Sequence, residues 1–396
     1  MTRAVLLSLL TLLSPASGAQ DVRVGLDVLL DDPALLAGQR VGLVANATSL
    51  SASLAHAADL FADHPDIGLR AIFAPEHGFR GAKQAGERVG DTYDIRTGVP
   101  IYSLYGATRR PTAAMLAGID VLVVDLQDIG TRFYTFISTL MEVLYAAAQH
   151  GKPVVVLDRP NPLGGLAVEG PVLEVAFTSF VGSYPIPIRH GLTIGEMARL
   201  MNRTVGADLT VVPMTGWRRT MRFRDTGLVW VMPSPNMPTP ETTLVYPGTG
   251  LLEGTNLAEG RGTTRPFELL GAPFVDAEAF AARLNALGLP GVWFRPASFV
   301  PTFGKYAGQL VQGVQLHVLD EVVFEPVRTA LTILALARDL YPEFAIDQPA
   351  HFDALAGNAW LREGLLRGEP VDSLIARWQP ELARHLKERQ EFLLYE

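Results

Sequence analysis

The chain has no cysteine, so no disulfide holds the fold and no lipidated cysteine can follow a leader. It lacks H-E-x-x-H, G-x-S-x-G and G-x-x-x-x-G-K-[ST], the usual signals of zinc proteases, serine hydrolases and P-loop enzymes. The 8 histidines are scattered and none is paired at ligand spacing, so neither a metal nor a cofactor is expected. Basic residues are the minority, 33 against 41 acidic ones, giving a formal charge of −8. That balance argues against nucleic acid as a partner, because phosphate binding needs a basic surface. After the first residues no apolar run reaches the roughly 20 residues a membrane helix needs. There is neither a low-complexity tract nor a repeat of useful length. Gly248-Thr-Gly250 has the look of a dinucleotide loop, but the next glycine is Gly254, which breaks the G-x-G-x-x-G spacing.

What is present begins with Met1-Thr-Arg3, an apolar run from Ala4 to Leu13, and small residues placed for cleavage after Ala19. The run is too short to span a bilayer and has the flanks of a secretory signal, so residues 1–19 are set aside as a leader. The expectation is a secreted or periplasmic protein with no membrane insertion once the leader is removed. The chain is 396 residues long and 48% apolar. That exceeds what one hydrophobic core usually serves, so two domains are predicted, residues 20–246 and 247–396.

Val41–Ala45, Gly68–Phe73, Val121–Asp125 and Val154–Leu157 are short, nearly continuous apolar runs, suited to strands buried on both faces of a parallel sheet. Helical patterns lie between them at Ser51–Ala62, Thr108–Leu116 and Phe136–His150, and another follows at Leu192–Asn202 before a run at Leu209–Pro213. The alternation predicts an α/β fold, a Rossmann-like, doubly wound and mostly parallel sheet. From Pro233 to Pro240 prolines are too dense for a helix or central strand, which predicts a stiff junction and a boundary near Tyr246–Gly248. Beyond it, a helix at Asp276–Leu287, strands near Val292–Phe294 and Leu310–Val318, and a helix at Phe324–Leu340 read as a smaller α/β domain, with a cleft between the two. The stretch from Pro370 is mostly helical, with Arg384, Lys387, Glu388 and Arg389 on a solvated face.

In an open α/β sheet ligands bind beyond the carboxyl ends of the strands. Four strand ends here carry polar residues: Asn46; Glu76 and His77; Asp125, Gln127 and Asp128; and Asp158, Arg159 and Asn161. Together they predict one crowded rim. The plain alternative for each aspartate is a helix cap or a turn. Glu76 leads the candidates, because Ala71-Ile-Phe-Ala-Pro-Glu-His-Gly-Phe-Arg-Gly81 runs a buried strand into a loop tightened by Pro75 and Gly78. Its plain alternative is a surface glutamate paired with Arg80, and that of His77 is a hydrogen-bonded structural histidine. Arg80, Arg132 and Arg159 are the positive groups of the rim, each able to pair with an aspartate or to hold an anion.

Glu169 is a second carboxylate set between shaping residues. Glu253-Gly-Thr-Asn256 and Glu259-Gly-Arg-Gly262 would face the first domain if the junction folds back, or are simple turns. What remains is carboxylate chemistry in a polar cleft, the working principle of glycoside hydrolysis. Two other readings use the same residues: a non-catalytic periplasmic sugar-binding protein, which would not need Glu76, and a metal-dependent hydrolase built on Glu76, Asp125 and Asp128.

Five motifs carry a family likeness: Ala74-Pro-Glu-His-Gly-Phe-Arg-Gly81, Asp125-Leu-Gln-Asp-Ile-Gly-Thr-Arg-Phe-Tyr134, Asp158-Arg-Pro-Asn-Pro162, Pro233-Ser-Pro-Asn-Met-Pro238, and Glu253-Gly-Thr-Asn256 with Glu259-Gly-Arg-Gly262. In this order, from about Gly25 to near the C-terminus, the chain resembles the bacterial exo-β-N-acetylmuramidases, the NamZ-like glycoside hydrolases. The resemblance implies an exo-acting hydrolase that takes N-acetylmuramic acid from the non-reducing end of peptidoglycan fragments. It implies Glu76 as principal catalytic carboxylate, with Glu169, Asp128 or the sugar's own 2-acetamido oxygen as the second group. It also implies substrate contacts from Asn46, His77, Arg80, Asp125, Gln127, Arg132, Tyr134, Asp158, Arg159, Asn161, Ser234, Asn236, Glu253, Asn256, Glu259 and Arg261. The lactyl carboxylate of such a sugar calls for an arginine, and Arg80, Arg132 and Arg261 are the candidates.

Overall fold

The computed structural model describes residues 22–396 apart from Ala82, Ala85, Arg88 and Val89; the leader expected at residues 1–19 lies outside the described residues. The first part of the chain forms β1 (Arg40–Ala45), β2 (Gly68–Ala74), β3 (Thr92–Tyr93), β4 (Pro100–Ser103), β5 (Val121–Asp125) and β6 (Val154–Leu157). The pair β7 (Glu169–Val172) and β8 (Pro187–Arg189) follows, and then β9 (Leu209–Val212). One sheet of seven strands runs β3-β4-β2-β1-β5-β6-β9. All its neighbours are parallel except the short β3–β4 pair. The chain winds outward from β1 through β2 to β4, returns to β5 beside β1, and winds outward again through β6 to β9. This is the doubly wound, Rossmann-like order, with its switch point between β1 and β5. Every residue of β5 and β6 is buried, as strands covered by helices on both faces require.

The helices that cover the sheet differ from the sequence reading mainly at their starts. Phe136–His150 forms as predicted and stops at Gly151, whose φ of 59° accepts the left-handed turn. Ile194–Val205 opens with a capping box between Thr193 and Glu196. The pattern at Thr108–Leu116 yields a helix only over Ala113–Leu116, because Pro111 disfavours helical backbone at Arg110. Of Ser51–Ala62 only Ala57–Asp63 becomes helical, capped by the His56 ring; before it Leu54 sits at φ 65° in a tight turn.

The proline-rich segment is irregular until Thr239 caps a helix, Pro240–Thr249. That helix carries the chain through Tyr246–Gly248, where the boundary is expected, and packs on Pro326–Leu340. Gly248 is the contact point: a Cβ there would lie 1.9 Å from the Pro326 carbonyl oxygen. Beyond it, β10 (Leu269–Ala272), β11 (Val292–Phe299) and β12 (Val311–Val318) form an antiparallel sheet in the order β10-β12-β11, which meets the helices Ala277–Ala286 and Pro240–Thr249.

The two parts share one hydrophobic core, which runs from Leu140 and Met197 under the large sheet to Tyr246, Phe267, Leu331 and Trp378. Polar ties cross the same boundary. The Arg328 amide donates to Glu169 (2.8 Å) and the Arg132 guanidinium to the Leu355 carbonyl (2.7 Å). The C-terminal residues return to the first part, where the Tyr395 hydroxyl donates to Asp158 and the Leu394 amide to Glu196. Arg389, expected on a solvated face, is instead buried, and its guanidinium donates to the carbonyls of Gly191 (3.0 Å) and Leu166 (3.3 Å); Arg384, Lys387 and Glu388 are exposed as predicted. Among the described residues no helix is long and apolar enough to cross a membrane.

Candidate active site

A cavity of about 490 Å³ lies where the carboxyl ends of β2, β4 and β5 face the C-terminal part. Glu76 enters it directly from the end of β2. After Ala74 the chain turns at once, with the Gly78 amide donating to the Pro75 carbonyl (3.0 Å) and both His77 (φ 71°) and Gly78 (φ 77°) in the left-handed region. A histidine rarely adopts that conformation. It is fixed here by a hydrogen bond between its Nδ1 and the Lys83 carbonyl (2.8 Å). The turn leaves the Glu76 carboxylate buried at the cavity wall with both oxygens oriented: Oε1 accepts from the Gly86 amide (2.9 Å) and Oε2 from the Thr135 hydroxyl (2.6 Å). The Tyr105 hydroxyl faces the same carboxylate. Burial and then the charge of Glu76 push that phenol up to about 12. Burial lowers the pKa of His77, which therefore faces the cavity as a neutral ring near neutral pH.

The opposite wall comes from the C-terminal part. Arg261 reaches Glu253 (3.0 Å) and Glu259 (3.4 Å), and its guanidinium lies 4.9 Å from the Phe267 ring centre. Burial alone would raise the pKa of Glu253, but Arg261 and His351 outweigh it and hold the carboxyl below its ordinary value. Glu259 also meets Lys305 (3.1 Å), so this cluster is close to neutral. The floor between the walls is aromatic: Tyr246 contacts Phe133 (ring centres 5.2 Å apart) and Phe267 (4.6 Å). Ser234 and Asn236 close one side from the proline-rich segment, where Asn236 reaches Gln84 (3.3 Å).

Of the residues singled out from sequence, Glu76, His77, Tyr134, Ser234, Asn236, Glu253 and Arg261 line this cavity. The others do not reach it, and each has a structural occupation. Asn46 closes a turn onto Thr48 (3.0 Å). Asp125 forms a buried two-pronged ion pair with Arg159. Gln127 binds the carbonyls of Asp128 and Pro160 (2.7 Å each), and Asn161 holds the Leu163 amide and the Leu192 carbonyl. Asp158 anchors Thr193, Gly195 and Tyr395, and burial pushes its carboxyl up to about 7. The switch-point crevice between β1 and β5 is thus occupied mostly by protein, with the Ser49 hydroxyl donating to the Asp125 carbonyl, and leaves a pocket of about 30 Å³ beside Thr48, Gln127 and Arg159.

Both candidates for a second catalytic carboxyl are placed elsewhere as well. Asp128 caps the Gly130 amide (2.7 Å) beside His190 (3.3 Å). Glu169 is bound to the Arg328 amide, and burial lifts its carboxyl to about 7. Arg80 pairs with Asp94 (2.9 Å) on the outer side of its loop rather than with Glu76. Arg132 is fully buried, its guanidinium spent on the carbonyls of Pro171, Ile186 and Leu355. Asn256 ties down the chain at Glu343 and Ala345, and Glu259 stands behind Arg261.

Tyr105, Arg109, Thr135, Phe180 and His351 also line the cavity and were not singled out from sequence. Tyr105 and Arg109 follow β4, a strand whose four residues begin with proline and so give little signal. Thr135 directly follows the predicted Tyr134 and gains meaning only from its bond to Glu76. Among the described residues no three His, Asp or Glu side chains are grouped as metal ligands.

Comparison with known proteins gives a consistent picture. Residues 41–241 match the family model of the N-terminal part of the exo-β-N-acetylmuramidase NamZ, and residues 244–395 that of its C-terminal part. The peptidoglycan β-N-acetylmuramidase NamZ of Bacillus subtilis is 51% identical over 94% of this chain and 91% of its own length. Two crystal structures of DUF1343-family proteins from Bacteroides fragilis superpose with TM-scores of 0.89 and 0.79, at 36% and 29% identity, each covering 95% of this chain and 99% of the other. With both halves matched in order and half of all residues shared along nearly its whole length, this chain belongs to the NamZ family of exo-β-N-acetylmuramidases.

Proposed function

We propose that the protein is an exo-acting glycoside hydrolase that releases N-acetylmuramic acid from the non-reducing end of peptidoglycan fragments, working outside the cytoplasmic membrane. The observation that carries the reading is Glu76, a carboxylate held by Thr135 and Gly86 at the wall of the cavity, in a chain that shares 51% identity with a peptidoglycan β-N-acetylmuramidase. Export, suggested by the leader-like first residues, would bring the enzyme to its polymer.

In this reading Glu76 manages the proton at the glycosidic oxygen, with Tyr105 and Thr135 fixing its orientation. Water or a nucleophile must then be directed to the anomeric carbon. Glu169 and Asp128 lie away from the cavity, and Glu253 is committed to Arg261 and His351. The 2-acetamido oxygen of the sugar is therefore the nucleophile that best fits, the substrate-assisted variant of glycoside hydrolysis. The aromatic floor of Phe133, Tyr246 and Phe267 would stack against the apolar face of the sugar.

The test is release of the aglycone from an aryl β-N-acetylmuramide beside the matching N-acetylglucosaminide. Cleavage of the muramide alone is the expected result. Absence of cleavage of either by folded protein would favour a sugar-binding protein without catalysis. A substrate-assisted course further predicts that replacing the acetamido by a thioacetamido group slows turnover sharply, whereas an enzymic nucleophile would leave it little changed.

A further inference from the structure

An anionic sugar entering this cavity approaches Glu76, and its charge needs a partner. The three arginines suggested by sequence are all committed: Arg132 to buried carbonyls, Arg80 to Asp94 outside the cavity, and Arg261 to Glu253 and Glu259. Arg109 is different. It is exposed at the cavity wall, and among the described residues no carboxylate pairs with it. Its guanidinium lies 4.1 Å from the ring centre of Phe180 and 5.6 Å from that of Tyr105, whose rings are 5.8 Å apart.

A guanidinium supported on its face by aromatic rings keeps its edge N–H groups free, and those match the two oxygens of a carboxylate. The same Tyr105 that supports Arg109 turns its hydroxyl to Glu76. The anion site thus lies next to the reacting centre. In muramic acid the lactyl ether on C3 is separated from the anomeric carbon by C2 alone. We infer that Arg109, carried on Phe180 and Tyr105, binds the lactyl carboxylate and thereby makes the cavity prefer a muramide over a glucosaminide. This rests on the muramidase reading above.

Three aryl glycosides test it: the muramide, its neutral lactyl methyl ester and the glucosaminide, each with wild type, Arg109→Met and Arg109→Lys. Wild type should prefer the free acid to the ester. In Arg109→Met that preference, as a ratio of kcat/KM values, should fall by about 10- to 100-fold, the worth of one charge-assisted pair, with the change mainly in KM. Arg109→Lys should restore part of it. An unchanged acid-to-ester ratio in Arg109→Met would overturn the inference. If wild type cleaves nothing, the muramidase reading fails by itself. Calorimetric titration with N-acetylmuramic acid and N-acetylglucosamine then judges Arg109 separately: loss of the preference for the acid in Arg109→Met supports the assignment, and equal preference in both proteins refutes it.

Discussion

Replacing Glu76 by glutamine separates chemistry from architecture, because the site can accommodate the amide. Glu76 Oε1 receives the Gly86 amide and Oε2 the Thr135 hydroxyl. In Glu76→Gln the carbonyl oxygen can keep the Gly86 bond, while the new NH2 donates to Thr135, whose hydroxyl rotates to accept. Two charge-assisted bonds become neutral ones, a loss of about 1 kcal/mol each, so about 2 kcal/mol in all. Part of that is offset because a buried charge no longer has to be kept from water. The fold should therefore survive with a small drop in Tm, and the sugar should still bind, leaving KM within a few-fold. Proton transfer is what disappears, which predicts a fall in kcat of about 10²- to 10⁴-fold, or about 3–5 kcal/mol on the barrier. The assay is steady-state release of an aryl aglycone across muramide concentrations, with near-ultraviolet circular dichroism and a thermal melt on the same preparation. A variant that is folded and retains more than a tenth of the wild-type kcat would remove Glu76 from the proton's path.

Three further outcomes follow from the packing. Gly248→Ala would place a Cβ 1.9 Å from the Pro326 carbonyl oxygen, forcing the two helices apart; overpacking of this kind costs about 1–3 kcal/mol, so a lower denaturation midpoint is expected, and an unchanged one would refute the contact. Glu169 binds its proton more tightly in the folded protein, with its carboxyl raised to about 7 by burial. Its stabilising contribution is thus complete below about pH 4.5, declines as pH rises toward 7 and is absent above; Glu169→Gln should flatten this part of the Tm-versus-pH curve, and an identical slope would contradict the assignment. Tyr395→Phe removes a half-buried hydroxyl that bridges Asp158 and the Met214 amide, with an expected loss of about 1–3 kcal/mol measured by urea unfolding; a change below about 0.5 kcal/mol, roughly the floor for a hydrogen bond, would show that this bridge contributes nothing to stability.

The large sheet was legible because its strands are buried on both faces, which writes them into the sequence as unbroken runs such as Val121–Val124 and Val154–Leu157. The two strands at the β3–β4 end of the sheet were not. Thr92–Tyr93 is exposed and Pro100–Ser103 only half-covered, so neither carries a continuous apolar run. The junction shows a different limit. Prolines correctly forecast irregular backbone up to Pro238, but Pro247 and Gly248 read as a break and instead lie in a helix. Near the end of a helix Pro247 is held by tertiary packing, and Gly248 is there because the neighbouring helix comes too close for any side chain. That closeness is a contact between distant segments and leaves no local signature.

At the site the strand-end rule picked out polar residues of which some line the cavity and others do not. Asn46, Asp125, Asp158 and Asn161 do sit at the ends of β1, β5 and β6, but each is buried and fully engaged, tying loop to loop. A polar residue at a strand end has two uses, to meet a ligand or to satisfy the backbone of the loop it starts, and burial with internal partners marks the second. Of the strand ends singled out from sequence, the β2 end is the one whose residues line the cavity: a turn through His77 and Gly78 directs Glu76 into it. The same rule, applied to the unrecognised β4, leads straight to Tyr105 and Arg109. The cavity therefore lies on the β2–β4 side of the sheet, and at the β1–β5 switch point, where a doubly wound fold usually binds its ligand, the polar side chains serve as scaffold. A substitution that disturbs only the scaffold should lower stability while sparing kcat in the folded fraction. Asp125→Asn, which weakens the pair with Arg159 and leaves every cavity residue in place, is the variant to measure. If it instead abolished turnover without loss of stability, the reassignment of the switch point to a structural role would be mistaken.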